Sequence, residues 1–155
     1  MDPIDPGAEA MTQQQVIDGI VAAFDSVEAV ESAQSEGGSD CFFFFGAERH
    51  FPFATVVTRD NEFDHLSRLD RDGVFRLNLG LSKPGYAAVF ETAQDEAWDY
   101  TALDRLMPHP MYARMHWVSV LNPSRLTFER LQPLLAEAYE LAQRQAARRP
   151  SSERH

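Results

Sequence analysis

The feature that most constrains this chain is the run Cys41-Phe42-Phe43-Phe44-Phe45, closed by Gly46. Five apolar residues are too few for a helix, and aromatic side chains favour the pleated backbone of a strand. Successive strand side chains face opposite ways, so an unbroken apolar run buries surface on both sides of its sheet. It must be an inner strand, with material packed above and below it. Residues 46–52 read as a turn. Phe53-Ala54-Thr55-Val56-Val57-Thr58 then predicts the returning strand of a hairpin.

Helical and strand periods organise the remainder. Thr12 is a good N-cap with Gln15 at the capping-box position, and Val16, Ile17, Ile20, Val21 and Phe24 recur at helical spacing. A short strand is expected over 27–32, followed by a loop over 35–40. The charged stretch 59–73, with Leu66 and Leu69 able to anchor one helical turn, reads as solvated loop. Residues 74–79 alternate, with Phe75, Leu77 and Leu79 on one face and Arg76 and Asn78 on the other. A helix is expected over 83–90, with Pro84 tolerated in its first turn. Residues 92–99 lack a period, 100–107 predict a short helix, and Met107-Pro108-His109-Pro110 is stiff, non-helical chain. A strand over 115–121 precedes a closing helix striped by Phe128, Leu131, Leu135, Ala138 and Ala142, with Pro133 expected to kink it. No repeat or linker divides the chain. We therefore expect one α+β domain over 11–147 between flexible tails, 1–10 and 148–155. Its antiparallel sheet carries helices on one face in the order α-β(3)-α-β(2)-α.

Charge and composition narrow the function classes. The net charge of −10 repels nucleic acid and anionic membrane surfaces at long range. The cluster Arg144, Arg148 and Arg149 falls where a helix C-terminus favours cations. No apolar run approaches the roughly 20 residues that cross a bilayer. The acidic start has neither the basic nor the apolar part of a signal peptide, so a cytoplasmic location is expected. A single cysteine, Cys41, permits no internal disulfide.

Candidate chemistry gathers on the polar face of the alternating strand. If Met115, Trp117 and Leu121 face the core, His116 joins Arg76 and Asn78 on an open sheet face, where an Arg, an Asn and a His suit an anion or carboxylate. His109, held between two prolines, and the nearby Tyr112 would rim that face. Asp60, Glu62, Asp64 and His65 show no recognised metal-ligand spacing, Ser119 lacks a nucleophile-elbow context, and Gly80 and Gly85 are too isolated for a phosphate loop. Cys41 has no basic neighbour in sequence and is expected to be inert.

Several pieces together resemble a known family. Phe42-Phe43-Phe44, Phe51-Pro52-Phe53-Ala54-Thr55, Asp70 through Gly73 leading into Phe75-Arg76-Leu77-Asn78, Met107-Pro108-His109-Pro110-Met111-Tyr112 and Leu121-Asn122-Pro123 resemble an uncharacterised actinobacterial family, domain-of-unknown-function family 6194. The resemblance spans nearly everything between residues 12 and 147. The second half is more distantly similar to the MmcQ/YjbR family, through Arg76-Leu77-Asn78, His116-Trp117 and Glu137 to Leu141. That likeness implies a secretion-chaperone-like α-β(3)-α-β(2)-α fold and a DNA-binding label founded on structural analogy. The acidic charge and an apparent insertion at 92–106 depart from it. Neither family supplies a catalytic residue.

The resulting expectation is a non-enzymatic domain that binds a small molecule or a protein partner through the open sheet face, without metal or cofactor. The alternatives are a small-molecule enzyme using His109 or His116 for proton transfer, and a DNA-binding domain. The aromatic surface at Phe42 to Phe45 also suits a homodimer.

Overall fold

The computed structural model describes residues 9–32, 40–47, 50–91 and 97–148. Expectations for the outer parts of both tails, most of the 35–40 loop, the middle of the 46–52 turn and residues 92–96 lie outside the described residues.

The first helix, α1 (Gln13–Ala23), starts where a reciprocal cap forms. Thr12 Oγ1 accepts from the Gln15 amide at 3.1 Å, and Gln15 Oε1 accepts from the Thr12 amide at 2.9 Å. Val16, Ile17 and Ile20 are buried, whereas Val21 stays 41% exposed at the margin of the stripe. Residues 9 and 10 are tied down rather than loose: Ala10 bridges Ser124, and the Arg125 amide bonds the Glu9 carbonyl.

Six strands form one antiparallel sheet: β1 (Val27–Glu31), β2 (Cys41–Phe45), β3 (Ala54–Val57), β4 (Arg76–Gly80), β5 (Met107–Pro108) and β6 (Trp117–Leu121). Their spatial order is β1-β2-β3-β4-β6-β5. The aromatic run is an inner strand, as its unbroken apolarity requires, with Cys41 and Phe43 fully buried. Four strands rather than three precede the next helix: the strands expected over 27–32, 41–45, 53–58 and 74–79 all form, and β1 pairs along its whole length with β2.

Helix α2 (Lys83–Val89) is capped by Ser82, and Pro84 occupies its first turn. The closing segment is two helices, α3 (Arg125–Arg130) and α4 (Gln132–Ala147), not one kinked helix. Proline is at home in a first turn, where its missing N–H has no intrahelical partner, so Pro133 begins α4. The expected helix over 100–107 is absent. Thr101 Oγ1 donates to Asp99 Oδ1 at 2.6 Å in a local turn, and Asp104 adopts φ +59°, which no helix accepts. Leu103 instead bridges Leu121, and Met107–Pro108 pairs with β6.

The main core lies between one sheet face and α1, α3 and α4, where Leu77, Leu79, Val118 and Val120 meet Ile20, Phe128 and Leu135. Phe24 stacks on Tyr139 with centroids 4.2 Å apart. The opposite sheet face is covered too, which corrects the expectation that it is open. A second cluster of Leu69, Met107 and Leu121, flanked by Val57, Val74, Trp98 and Tyr100, packs there. Its cover comes from 59–74 and 97–112, which apart from the two-residue β5 lack regular secondary structure.

Candidate functional site

The charged stretch 59–73 can cover a sheet because its own polar groups satisfy its backbone. Asn61 Oδ1 accepts from the Phe63 and Asp64 amides at 2.8 and 2.9 Å, and Asp60 Oδ1 accepts from the Leu69 amide at 2.8 Å. Arg71 Nη2 donates to the carbonyls of Ser67 and Thr101, at 3.1 and 3.0 Å, joining the two covering segments. Ser67 and Leu69 are consequently buried in what reads as solvated loop.

Beneath this cover lies a polar network centred on Arg76, which is 1% exposed. Its guanidinium holds the Asp64 carboxylate in a bidentate pair, through Nη1 to Oδ1 at 2.9 Å and Nη2 to Oδ2. Nη1 also donates to Ser67 Oγ at 3.1 Å, and Nε donates to Asn78 Oδ1 at 2.8 Å. Asn78 accepts again from Ser119 Oγ at 2.7 Å and donates to Thr55 Oγ1 at 2.9 Å. Every strand from β3 through β6 contributes a residue to this network or adjoins it, so it stitches the sheet to its second cover.

His109 completes the cluster. Its Nδ1 accepts from the Met111 and Tyr112 amides, each at 3.0 Å, and the Tyr112 ring lies 4.8 Å from the imidazole. An acceptor Nδ1 places the ring proton of the neutral imidazole on Nε2. Nε2 lies 3.3 Å from Arg76 Nη2, so two N–H-bearing nitrogens face one another there. Burial, then the Arg76 charge, push the His109 pKa down to about 3 against the weaker pull of Asp64. The ring is therefore neutral at ordinary pH and poorly suited to accept a proton from a substrate.

Of the five residues singled out from sequence, Arg76, Asn78, His109 and Tyr112 come together, but the first three are buried rather than displayed. His116 does not join them. In the antiparallel register Asn78 faces Ser119 and Gly80 faces Trp117, so Trp117 and Leu121 share the Arg76 side and His116 precedes the strand in a left-handed turn at φ +70°. Met115, expected in the core, is 63% exposed. Ser119 is the residue that belongs with Asn78, and only the register reveals it.

His116 instead enters a cleft of about 490 Å³ between α2 and the 98–116 stretch, lined among others by Lys83, Tyr86, Phe90, Trp98 and Arg114. Tyr86 packs edge-on to Phe90 at 5.0 Å and 5.8 Å from the His116 ring, and Phe90 meets Trp98 at 5.5 Å. Arg105 sits over the Trp98 ring, 4.8 Å from its centroid. Sequence reasoning missed this wall, although Tyr86, Val89 and Phe90 at i, i+3 and i+4 mark one apolar side of a short helical segment that must meet a neighbour. A wider depression of about 710 Å³ lies against residues 10–13, 58–60 and 69–75. Its Asp60, Asp70 and Arg71 are already engaged with backbone groups, which leaves fewer functions free for a ligand.

This architecture defines an α+β domain with an antiparallel sheet sandwiched between helices and ordered loops, and with an aromatic cleft at the β5–β6 end. A family of unknown function (DUF6194) matches residues 11–151, and the chain belongs to that family. No curated protein and no solved structure matches it.

Proposed function

We propose that this is a small-molecule-binding domain whose site is the cleft between α2 and the 98–116 stretch. The observation that carries the reading is a concavity of about 490 Å³, within the size range of ligand sites, walled by Tyr86, Phe90 and Trp98 and edged by polar groups. The buried Arg76 network then has a supporting role. Arg76 lies against His109, whose Nδ1 accepts from the Met111 and Tyr112 amides, and the buried cluster thereby backs the segment from Pro108 to His116 that forms one wall. A relation to the MmcQ/YjbR fold belongs to this reading as a matter of architecture, and the negative charge argues against nucleic acid as the ligand. His116 beside Tyr86 supports a second reading, in which the bound molecule undergoes proton transfer in the cleft. His109 does not support it.

Native mass spectrometry of the purified protein, set against its denatured mass, tests the proposal. Mass retained only under native conditions, and lost in Ala87→Trp, is the expected result, because Ala87 is an exposed cleft residue whose enlargement fills the space. An adduct that survives Ala87→Trp, or a protein that always flies bare, would remove the cleft as the site.

A further inference from the structure

Resting on that reading, we propose that the cleft selects a planar ring carrying an anionic group, a carboxylate or phosphate, rather than a neutral or cationic molecule. The walls are aromatic: Tyr86, Phe90 and Trp98 line the cleft, with Phe90 and Trp98 meeting edge to face, and aromatic rings are the partners a planar guest packs against best. The polar rim is unbalanced in the other direction from the chain. The protein as a whole is strongly acidic, yet among the described residues Lys83 and Arg114 line the cleft against the single carboxylate of Glu91.

These groups are also unspent. Among the described residues neither Lys83 nor Arg114 makes an ion pair, and the ring nitrogens of His116 and the hydroxyl of Tyr86 have no hydrogen-bond partner. Arg76, by contrast, is committed to Asp64, Ser67 and Asn78 through four of its five N–H groups. Burial, and then Tyr100, raise the Tyr86 pKa, so its phenol stays protonated and presents a donor. Two cations, a phenol O–H and an imidazole around one concavity form a donor set matched to the several acceptor oxygens of an anion.

The probes are 2-naphthoate and its neutral analogue 2-naphthalenemethanol, followed by the Trp98 indole N–H signal in proton–nitrogen correlation spectra of the full chain. 2-Naphthoate should bind at least tenfold more tightly than the alcohol, and added salt should narrow the gap. The double variant Lys83→Met with Arg114→Met, both exposed positions, should erase the preference while the alcohol binds as before. Equal binding of the two probes would overturn the anionic selection and leave the cleft standing as a site. A Trp98 signal that neither probe moves would overturn both readings.

Discussion

The guanidinium of Arg76 grips the carboxylate of Asp64 through both terminal nitrogens, with Arg76 1% and Asp64 14% exposed. The two lie twelve positions apart, one in the sheet and one in the segment covering it, so the pair is a tertiary clasp. A charge withdrawn from water in this way depends on its partner, because a lone survivor would remain buried and uncompensated.

Arg76→Ala should therefore destabilise the fold by about 3–5 kcal/mol, through the stranded Asp64 and the freed oxygens of Asn78 and Ser67. Urea denaturation measures this as a lower midpoint with an unchanged slope. Alternation alone suggests the opposite, since it puts Arg76 away from the helices. A midpoint equal to that of the parent protein would show the clasp to be incidental.

Acid should weaken the fold through His109. The unfolded chain protonates this ring near pH 6.5, whereas in the fold its pKa is about 3. The stability due to the neutral ring is whole above pH 6.5 and is lost as the pH falls from there toward 3, by at most about 1.4 kcal/mol per unit. Asp64 acts lower down: burial pushes its carboxyl up, but the hydrogen bonds and charge of Arg76 prevail and hold it below the usual value. Its share is present above about pH 4 and disappears below. His109→Asn keeps an acceptor for the Met111 and Tyr112 amides without titrating. It should flatten the urea-midpoint slope between about pH 6.5 and pH 5. An undiminished slope would assign the acid sensitivity elsewhere.

Cys41 should be protected from thiol reagents. It is fully buried, and burial followed by the Glu31 charge raises its pKa to about 11, so little thiolate exists near neutrality. Labelling of the native protein should run at the rate at which the sheet opens and become stoichiometric in urea. Rapid labelling without denaturant would contradict the placement of β2.

Gly80→Ala should destabilise by about 1–3 kcal/mol, as overpacking does. An added Cβ would lie 2.9 Å from Trp117 Cε2 and Cζ2, in the ring laid across the strand. A displaced Trp117 fluorescence maximum with a lower melting temperature would register the clash. An unchanged spectrum and stability would place the indole elsewhere.

Those features differ in how far they can be read from the sequence. The inner aromatic strand, the hairpin, the cap of α1 and the two-faced alternation of β4 are local, and short-range period or chemistry predicts each. What alternation cannot say is whether a polar face meets water. Arg76 and Asn78 were assignable to a side, but their burial depends on 59–74 folding back over them, and that segment is polar in composition. Its polar groups are used internally, by Asp60 and Asn61 on backbone amides and by Asp64 on Arg76. His116 is misplaced for a different reason: both faces of the 117–121 strand carry apolar side chains, and the register turns Val118 and Val120, not Trp117 and Leu121, toward the helices. The cleft was the least accessible, since α2 and the 98–116 stretch come together only through tertiary packing.

The second cover of the sheet is held chiefly by side chains and scattered turns rather than by ladders of backbone bonds. Segments of that kind open at lower free energy than the strands and helices around them. Its release would uncover Leu69, Met107 and Leu121 while the helix-side core stayed shut. Amide exchange should accordingly divide the domain into two cooperative units, a slow one behind the sheet and a faster one in front. The wall of the cleft belongs to the faster unit, so a guest that fills the cleft should slow exchange on that side first.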